Sequence, residues 1–131
     1  MSDNLQTTYH LQTPWDFDTK WNIGDNEIVY NGLHEICQGG PAVGTLSING
    51  KQVAGYLYGG PFLFYDKIFY IPCYVKKFMG WGFQLAKISL EDLNVQLIGK
   101  IENLIFLDKI ENGVIYYFEN MDKIEYKFIE L

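Results

Sequence analysis

Residues 45–58, TLSINGKQVAGYLY, place Asn49-Gly50 between two short runs that mix apolar and polar side chains. A two-residue type I′ turn needs positive φ at both central positions, and Asn-Gly is a pair that adopts it readily. This stretch therefore predicts a β-hairpin. Two more hairpins are predicted on either side of turn-forming residues, in FLFYDKIFYI (62–71) around Asp66-Lys67 and in IFLDKIENGVIYY (105–117) around residues 111–113.

The rest of the chain shows strand patterns and no convincing helical one. KIEYKF (123–128) alternates, with Ile124, Tyr126 and Phe128 on one face, which predicts a half-buried strand. ISLEDLNVQLIGK (88–100) comes closest to a helical period, but its second half alternates, so strand–turn–strand is the prediction.

These patterns predict an all-β fold, and 131 residues favour a single domain over 1–131. We expect an irregular N-terminal segment over residues 1–25 and, over 26–131, an antiparallel meander of about nine or ten strands in propeller-like or curled sheets. A small barrel or sandwich is the alternative. Asp-Lys-Ile recurs at 66–68 and 108–110, near the spacing of propeller blades, although a common turn pair can also recur by chance.

The charge distribution limits the class of partner. The net charge is −6, all ten basic residues are lysines, and there is no arginine. Nucleic-acid binders neutralise phosphates with Lys and Arg, so we expect no nucleic acid as partner, and no anionic membrane. Residues 36–90 nevertheless carry one acid and five lysines, between two acidic zones that each have a net charge of −5.

Few residues could carry catalysis. The two histidines, His10 and His34, stand in no metal-binding or nucleophile motif. The cysteines, Cys37 and Cys73, are not in a CxxC motif, and we expect both to be buried free thiols. We therefore predict a protein that is not an enzyme, with no metal and no cofactor. The N-terminus lacks the pattern of a signal peptide, so the expected location is cytoplasmic.

Aromatic side chains are concentrated in GGPFLFYDKIFYIPCYVKKFMGWGF (59–83), where they occupy both parities of the predicted strands. Most are expected in the core, because aromatic residues favour strands for packing alone. Trp81 stands between two glycines, and two interpretations stay open for it: an anchor for a partner or a plug in the core.

A second group of residues suggests a protein interface. In PWDFDTKWNIGDNE (14–27), tryptophans alternate with carboxylates. They either belong to a solvated loop whose tryptophans cap the sheet, or form an interface, since tryptophan is a frequent hot-spot residue and carboxylates steer a basic partner. With the acids near the C-terminus, the candidate partner-binding residues are Trp15, Asp16, Asp18, Trp21, Asp25, Glu27, Trp81, Glu111, Glu119 and Asp122.

In size, acidity and composition the chain resembles the small immunity proteins of contact-dependent and other polymorphic toxin systems of bacteria. The resemblance involves no motif and assigns no residue. It implies a non-catalytic protein that neutralises a cognate basic toxin domain, such as a nuclease, by covering its active site, with the toxin encoded by a neighbouring gene. The alternative function is a carbohydrate- or small-ligand-binding module that uses exposed aromatic side chains.

Overall fold

A computed structural model of the chain describes residues 12–120, 122 and 125–131. These residues form twelve strands and no helix. The strands are β1 (Lys20–Ile23), β2 (Asn26–Glu35), β3 (Ala42–Ile48), β4 (Lys51–Gln52), β5 (Leu57–Tyr58), β6 (Leu63–Tyr65), β7 (Ile68–Lys76), β8 (Trp81–Ser89), β9 (Val95–Glu102), β10 (Phe106–Glu111), β11 (Val114–Phe118) and β12 (Lys127–Glu130). The predicted all-β class is confirmed. The number of strands exceeds the prediction, because the chain between residues 51 and 65 is divided into three very short strands.

The strands form two antiparallel sheets. The larger has nine strands in the order β1-β2-β3-β5-β7-β8-β9, with β4 beside β3 and β6 beside β7. The smaller sheet has the order β10-β11-β12. Neither sheet closes into a barrel, which removes the small-barrel alternative.

All three predicted hairpins are confirmed. Asn49-Gly50 has φ values of 53° and 80°, and Asn112-Gly113 has 52° and 75°. Asp66 and Lys67 also have positive φ, 53° and 63°, without a glycine. Because a left-handed conformation costs a non-glycine residue roughly 1–2 kcal/mol, the pairing of β6 with β7 must stabilise this turn.

Regular structure begins earlier than predicted. Residues 20–23 form β1, which pairs with β2 through Trp21 opposite Ile28 and Ile23 opposite Asn26. The prediction of an irregular segment over 1–25 was therefore wrong at these four positions. Ile23 is buried, and the Trp21 ring lies 5.2 Å from that of Phe62, so tertiary packing stabilises a strand that the polar neighbours obscure in the sequence. Residues 1–11, including His10, lie outside the described residues.

The strand β7 is buried on both faces, which explains the aromatic side chains of both parities. Phe69, Ile71 and Cys73 belong to the core inside the larger sheet. Tyr70 belongs to a second core, between the two sheets, where Leu107 and Ile115 of the smaller sheet are among its members. The expectation that most aromatic residues of 59–83 are core is confirmed for Phe62, Phe64, Phe69, Tyr70 and Phe83.

A buried polar contact also joins the two sheets. The Tyr117 hydroxyl donates a hydrogen bond of 2.5 Å to Oε2 of Glu102, a carboxylate only 7% exposed. The Lys127 ammonium lies 3.7 Å from Oε1 of the same carboxylate. The contact therefore connects β9 of the larger sheet with β11 and β12 of the smaller one.

The C-terminal strand differs from its prediction. β12 covers residues 127–130, and its alternation is reversed, because Phe128 is 63% exposed whereas Ile129 packs against the second core. The Ile129 side chain packs against Gly99 of β9, so closely that a Cβ at position 99 would lie 2.8 Å from Cδ1 of Ile129. Contact with β9 therefore determines which face of β12 is buried. Tyr126 is also exposed, and Lys123 and Ile124 lie outside the described residues.

The structure does not support the proposed repeat. Asp66 and Lys67 form a turn, whereas Asp108 and Lys109 lie within β10 at an irregularity of its pairing with β11. The two copies of Asp-Lys-Ile therefore occupy different kinds of position, as expected for a chance recurrence.

Candidate functional site: an aromatic groove beside the β7–β8 hairpin

Trp81 is the first residue of β8 and pairs with Lys76 across the hairpin. Its ring stacks on that of Tyr74, with 5.0 Å between centroids and 16° between planes, while 55% of the side chain is exposed. The core-plug interpretation of Trp81 is therefore wrong. The hairpin holds the indole in a defined orientation at the surface.

The stacked pair borders a groove of about 820 Å³, which the β7–β8 hairpin shares with β9 and with the chain between β4 and β5. Its lining residues are Gln52, Gly55, Tyr56, Leu57, Tyr74, Val75, Lys76, Trp81, Gln84, Leu97 and Ile101. Small-molecule sites typically have this size and a mostly apolar lining with a few polar groups. The groove is thus suited to a ligand with a flat apolar body.

Three polar side chains border the groove. The Gln84 amide donates a hydrogen bond of 2.8 Å to the carbonyl of Gly99, which holds this side chain in place. Gln52 and Lys76 are exposed, and no ion pair within the described part of the chain includes Lys76. An amide and an ammonium group can bind hydroxyl or carboxylate oxygens of a ligand whose ring stacks on Trp81.

The tip of the same hairpin is apolar. The backbone N–H of Lys77 donates to the carbonyl of Gly80 at 2.9 Å, and Gly80 has a φ of 90°. Between these residues, Phe78 is 100% exposed and Met79 77%. Gly, Asn, Asp, Ser and Pro are the usual residues of such turns, so two large apolar side chains here contribute nothing to turn formation or to either core.

The N-terminal tryptophans lie away from the groove. The Trp15 indole donates to the carbonyl of Gly39 at 3.0 Å, and its ring packs against the small cluster that contains Phe118. The Trp21 indole donates to the carbonyl of Asp18 at 2.9 Å. Both side chains are half-buried. These contacts favour the interpretation in which the two tryptophans cap the sheet.

The N-terminal carboxylates are mostly at the surface. Asp16, Asp18 and Asp25 are exposed. Glu27 forms an ion pair of 3.2 Å with Lys20, which lies diagonally across the β1–β2 hairpin. Exposed ion pairs of this kind contribute little to stability, so these carboxylates are available to contact a partner.

The C-terminal carboxylates are divided between two places. Glu111 lies at the β10–β11 turn and pairs with Lys109 at 3.3 Å, whereas Glu119 follows the other end of β11 and pairs with Lys127 at 3.3 Å. Five strand residues, about 16 Å, separate the two ends. Trp15 packs against the cluster that contains Phe118, the residue before Glu119. Asp122 is exposed.

The remaining reactive groups form no cluster. His34 is exposed, and its Nδ1 is 3.0 Å from the carbonyl of Gly32. Cys37 is exposed, contrary to prediction, because it lies in the loop after β2; Cys73 is buried, and burial raises the pKa of its thiol to about 12. In the described part of the chain, no group of three or more His, Cys, Asp or Glu is placed to hold a metal ion.

Sequence reasoning missed most of the groove. Tyr56 and Tyr74 are neighbours of Trp81 only in the folded chain, since a loop and two strand pairings bring them together. The tip did carry a local signal, because KKFMG places Phe78 and Met79 between lysines and a glycine, where a turn between two strands is expected.

Comparisons of the chain with protein-family models, with curated proteins and with solved structures found no match. Among the described residues there is also no helix that is long and apolar enough to cross a membrane.

Proposed function

We propose that the protein is a non-catalytic binding protein that takes a small ligand with a flat apolar face, such as a sugar ring, into the groove beside Trp81. The observation that supports this most is the stacked Tyr74–Trp81 pair at the border of an 820 Å³ groove. An aromatic side chain that is oriented before binding costs little conformational entropy when the ligand arrives. Gln52, Gln84 and Lys76 would then select the polar groups of the ligand.

A screen of glycans and small metabolites by tryptophan fluorescence and calorimetry tests this function. A ligand found in the screen should lose at least about fivefold in affinity with Trp81→Ala, because stacking on an aromatic side chain contributes about 1–3 kcal/mol. Phe128→Ala is the matched control, since it removes an exposed aromatic ring that lies outside the groove. Equal losses in the two variants, or a ligand unaffected by Trp81→Ala, would contradict the proposal.

A second candidate is the immunity function, in a cytoplasmic protein. It is supported by the exposed carboxylates Asp16, Asp18 and Asp25 of the N-terminal segment. An acidic surface of this kind can enter the basic cleft of a nuclease and increases the association rate by electrostatic steering.

Co-expression with the product of the neighbouring gene, followed by purification in low and high salt, tests the second candidate. A one-to-one complex that abolishes the toxicity of the neighbour, and that Trp81→Ala leaves intact, would support the immunity function with the exposed carboxylates as the binding surface. No complex with a harmless neighbour would reject the immunity function and leave the groove proposal unaffected.

A further inference from the structure

The tip of the β7–β8 hairpin, residues 76–80 with Trp81 behind it, combines exposed apolar side chains with two lysines. Phe78 and Met79 protrude into solvent. Lys76 and Lys77 flank them, and the Lys77 ammonium donates a 3.1 Å hydrogen bond to the Asn103 side chain rather than to a carboxylate. None of the ion pairs found in the described residues includes either lysine.

The two strands of the hairpin carry no carboxylate. Residues 67–90, which include all of β7 and β8, contain no Asp or Glu, and neither do residues 36–65. In β9, Lys100 is exposed, whereas Glu102 is buried and bound by Tyr117 and Lys127. The net charge of −6 therefore comes from other surfaces, and this tip is locally positive.

We propose that the β7–β8 hairpin tip docks on an anionic lipid surface, with Phe78 and Met79 entering the acyl boundary and Lys76, Lys77 and Lys100 contacting lipid headgroups. The order of side chains along the hairpin matches the layers of such a surface. The apolar pair is outermost, and Trp81, opposite Lys76, lies one step behind, at the depth where tryptophan is enriched in membrane proteins. Lysine stems can lie along apolar surface while the ammonium groups reach the headgroups.

The net charge of −6, taken over the whole chain, disfavours an anionic membrane as partner. Attraction to a charged surface falls off within a Debye length of about 8–10 Å. Only charges close to the docking tip therefore contribute strongly, and those on the hairpin itself are lysines. This docking does not require a ligand in the groove.

Co-sedimentation with phosphatidylcholine vesicles, with and without phosphatidylserine, tests the proposal on the full chain. The unmodified protein should bind the phosphatidylserine vesicles, and binding should weaken with salt. Phe78→Ser/Met79→Ser should lower the partition coefficient at least about tenfold, and Lys76→Gln/Lys77→Gln roughly 25-fold, at about fivefold for each lysine.

Phe128→Ser is the control, because it removes an exposed phenylalanine from the smaller sheet and should leave vesicle binding unchanged. Circular dichroism checks that each variant is folded. If the unmodified protein does not bind phosphatidylserine vesicles, the proposal is overturned, and a protein partner becomes the better occupant of the tip. Vesicle binding that the tip variants do not alter would overturn it as well.

Discussion

The buried hydrogen bond between Tyr117 and Glu102 should make a large, measurable contribution to stability. Tyr117→Phe removes only the hydroxyl group, in a ring that is 3% exposed, so packing is conserved. It leaves Oε2 of a buried carboxylate without the 2.5 Å hydrogen bond, while Oε1 keeps its ion pair with Lys127. Hydrogen bonds to charged groups contribute about 1.5–3 kcal/mol, and an unsatisfied buried acceptor retains its desolvation cost.

For a chain of this length the entropy of unfolding is about 0.28 kcal/mol/K, so the loss corresponds to a decrease in Tm of roughly 5–11 °C. Thermal unfolding followed by circular dichroism measures it. Tyr116→Phe is the control, because Tyr116 is the neighbouring residue of β11 and no hydrogen bond of its hydroxyl is found among the described residues. Its Tm should stay close to that of the unmodified protein.

A third variant separates hydrogen bonding from the cost of the buried charge. Tyr117→Phe/Glu102→Leu removes both partners and should recover part of the lost stability, since replacing a buried pair by apolar groups is often nearly neutral. A difference in Tm of about 1 °C corresponds to only ~0.3 kcal/mol. If the Tm values of Tyr117→Phe and Tyr116→Phe differ by no more than that, the Tyr117 hydroxyl does not hold the two sheets together.

Two further predictions concern the buried titratable groups. Burial raises the pKa of Tyr30, Tyr58 and Tyr117 above 10 and that of Cys73 to about 12. In alkali the folded state therefore holds more protons than the unfolded state. The free energy of unfolding should be highest below about pH 8.5 and should fall as pH rises, by up to about 1.4 kcal/mol per pH unit for each group. Urea unfolding between pH 8 and 11 measures this loss, and a constant urea midpoint would contradict the prediction. For the cysteines, a thiol reagent at neutral pH should modify exposed Cys37 and spare Cys73 until the protein unfolds; mass spectrometry identifies the site, and rapid labelling of Cys73 in the folded protein would contradict the buried position.

The functional surface was only partly predictable. Trp81 was singled out, because a tryptophan between glycines in a strand-rich chain is unusual, and the structure places it at the surface. Its groove neighbour Tyr56 could not be identified, since nothing local indicates that the chain between β4 and β5 passes beside the β7–β8 hairpin. For the N-terminal tryptophans, the alternation with aspartates left a capping role and an interface role open. Packing of Trp21 on Phe62 and of Trp15 on the cluster that contains Phe118 half-buries them.

The sequence by itself determined the fold class and the hairpins. Period-two patterns and turn pairs such as Asn49-Gly50 act over a few residues, so they can be recognised without knowledge of the rest of the chain. Tertiary structure decided which strands pair over long distances and which face of β12 is buried. Those properties depend on contacts such as Ile129 with Gly99 and Tyr117 with Glu102, between residues that are at least 15 positions apart. The groove belongs to this second kind, because only the folded chain brings its side chains together, whereas the lysines and apolar residues of the hairpin tip are consecutive in the sequence.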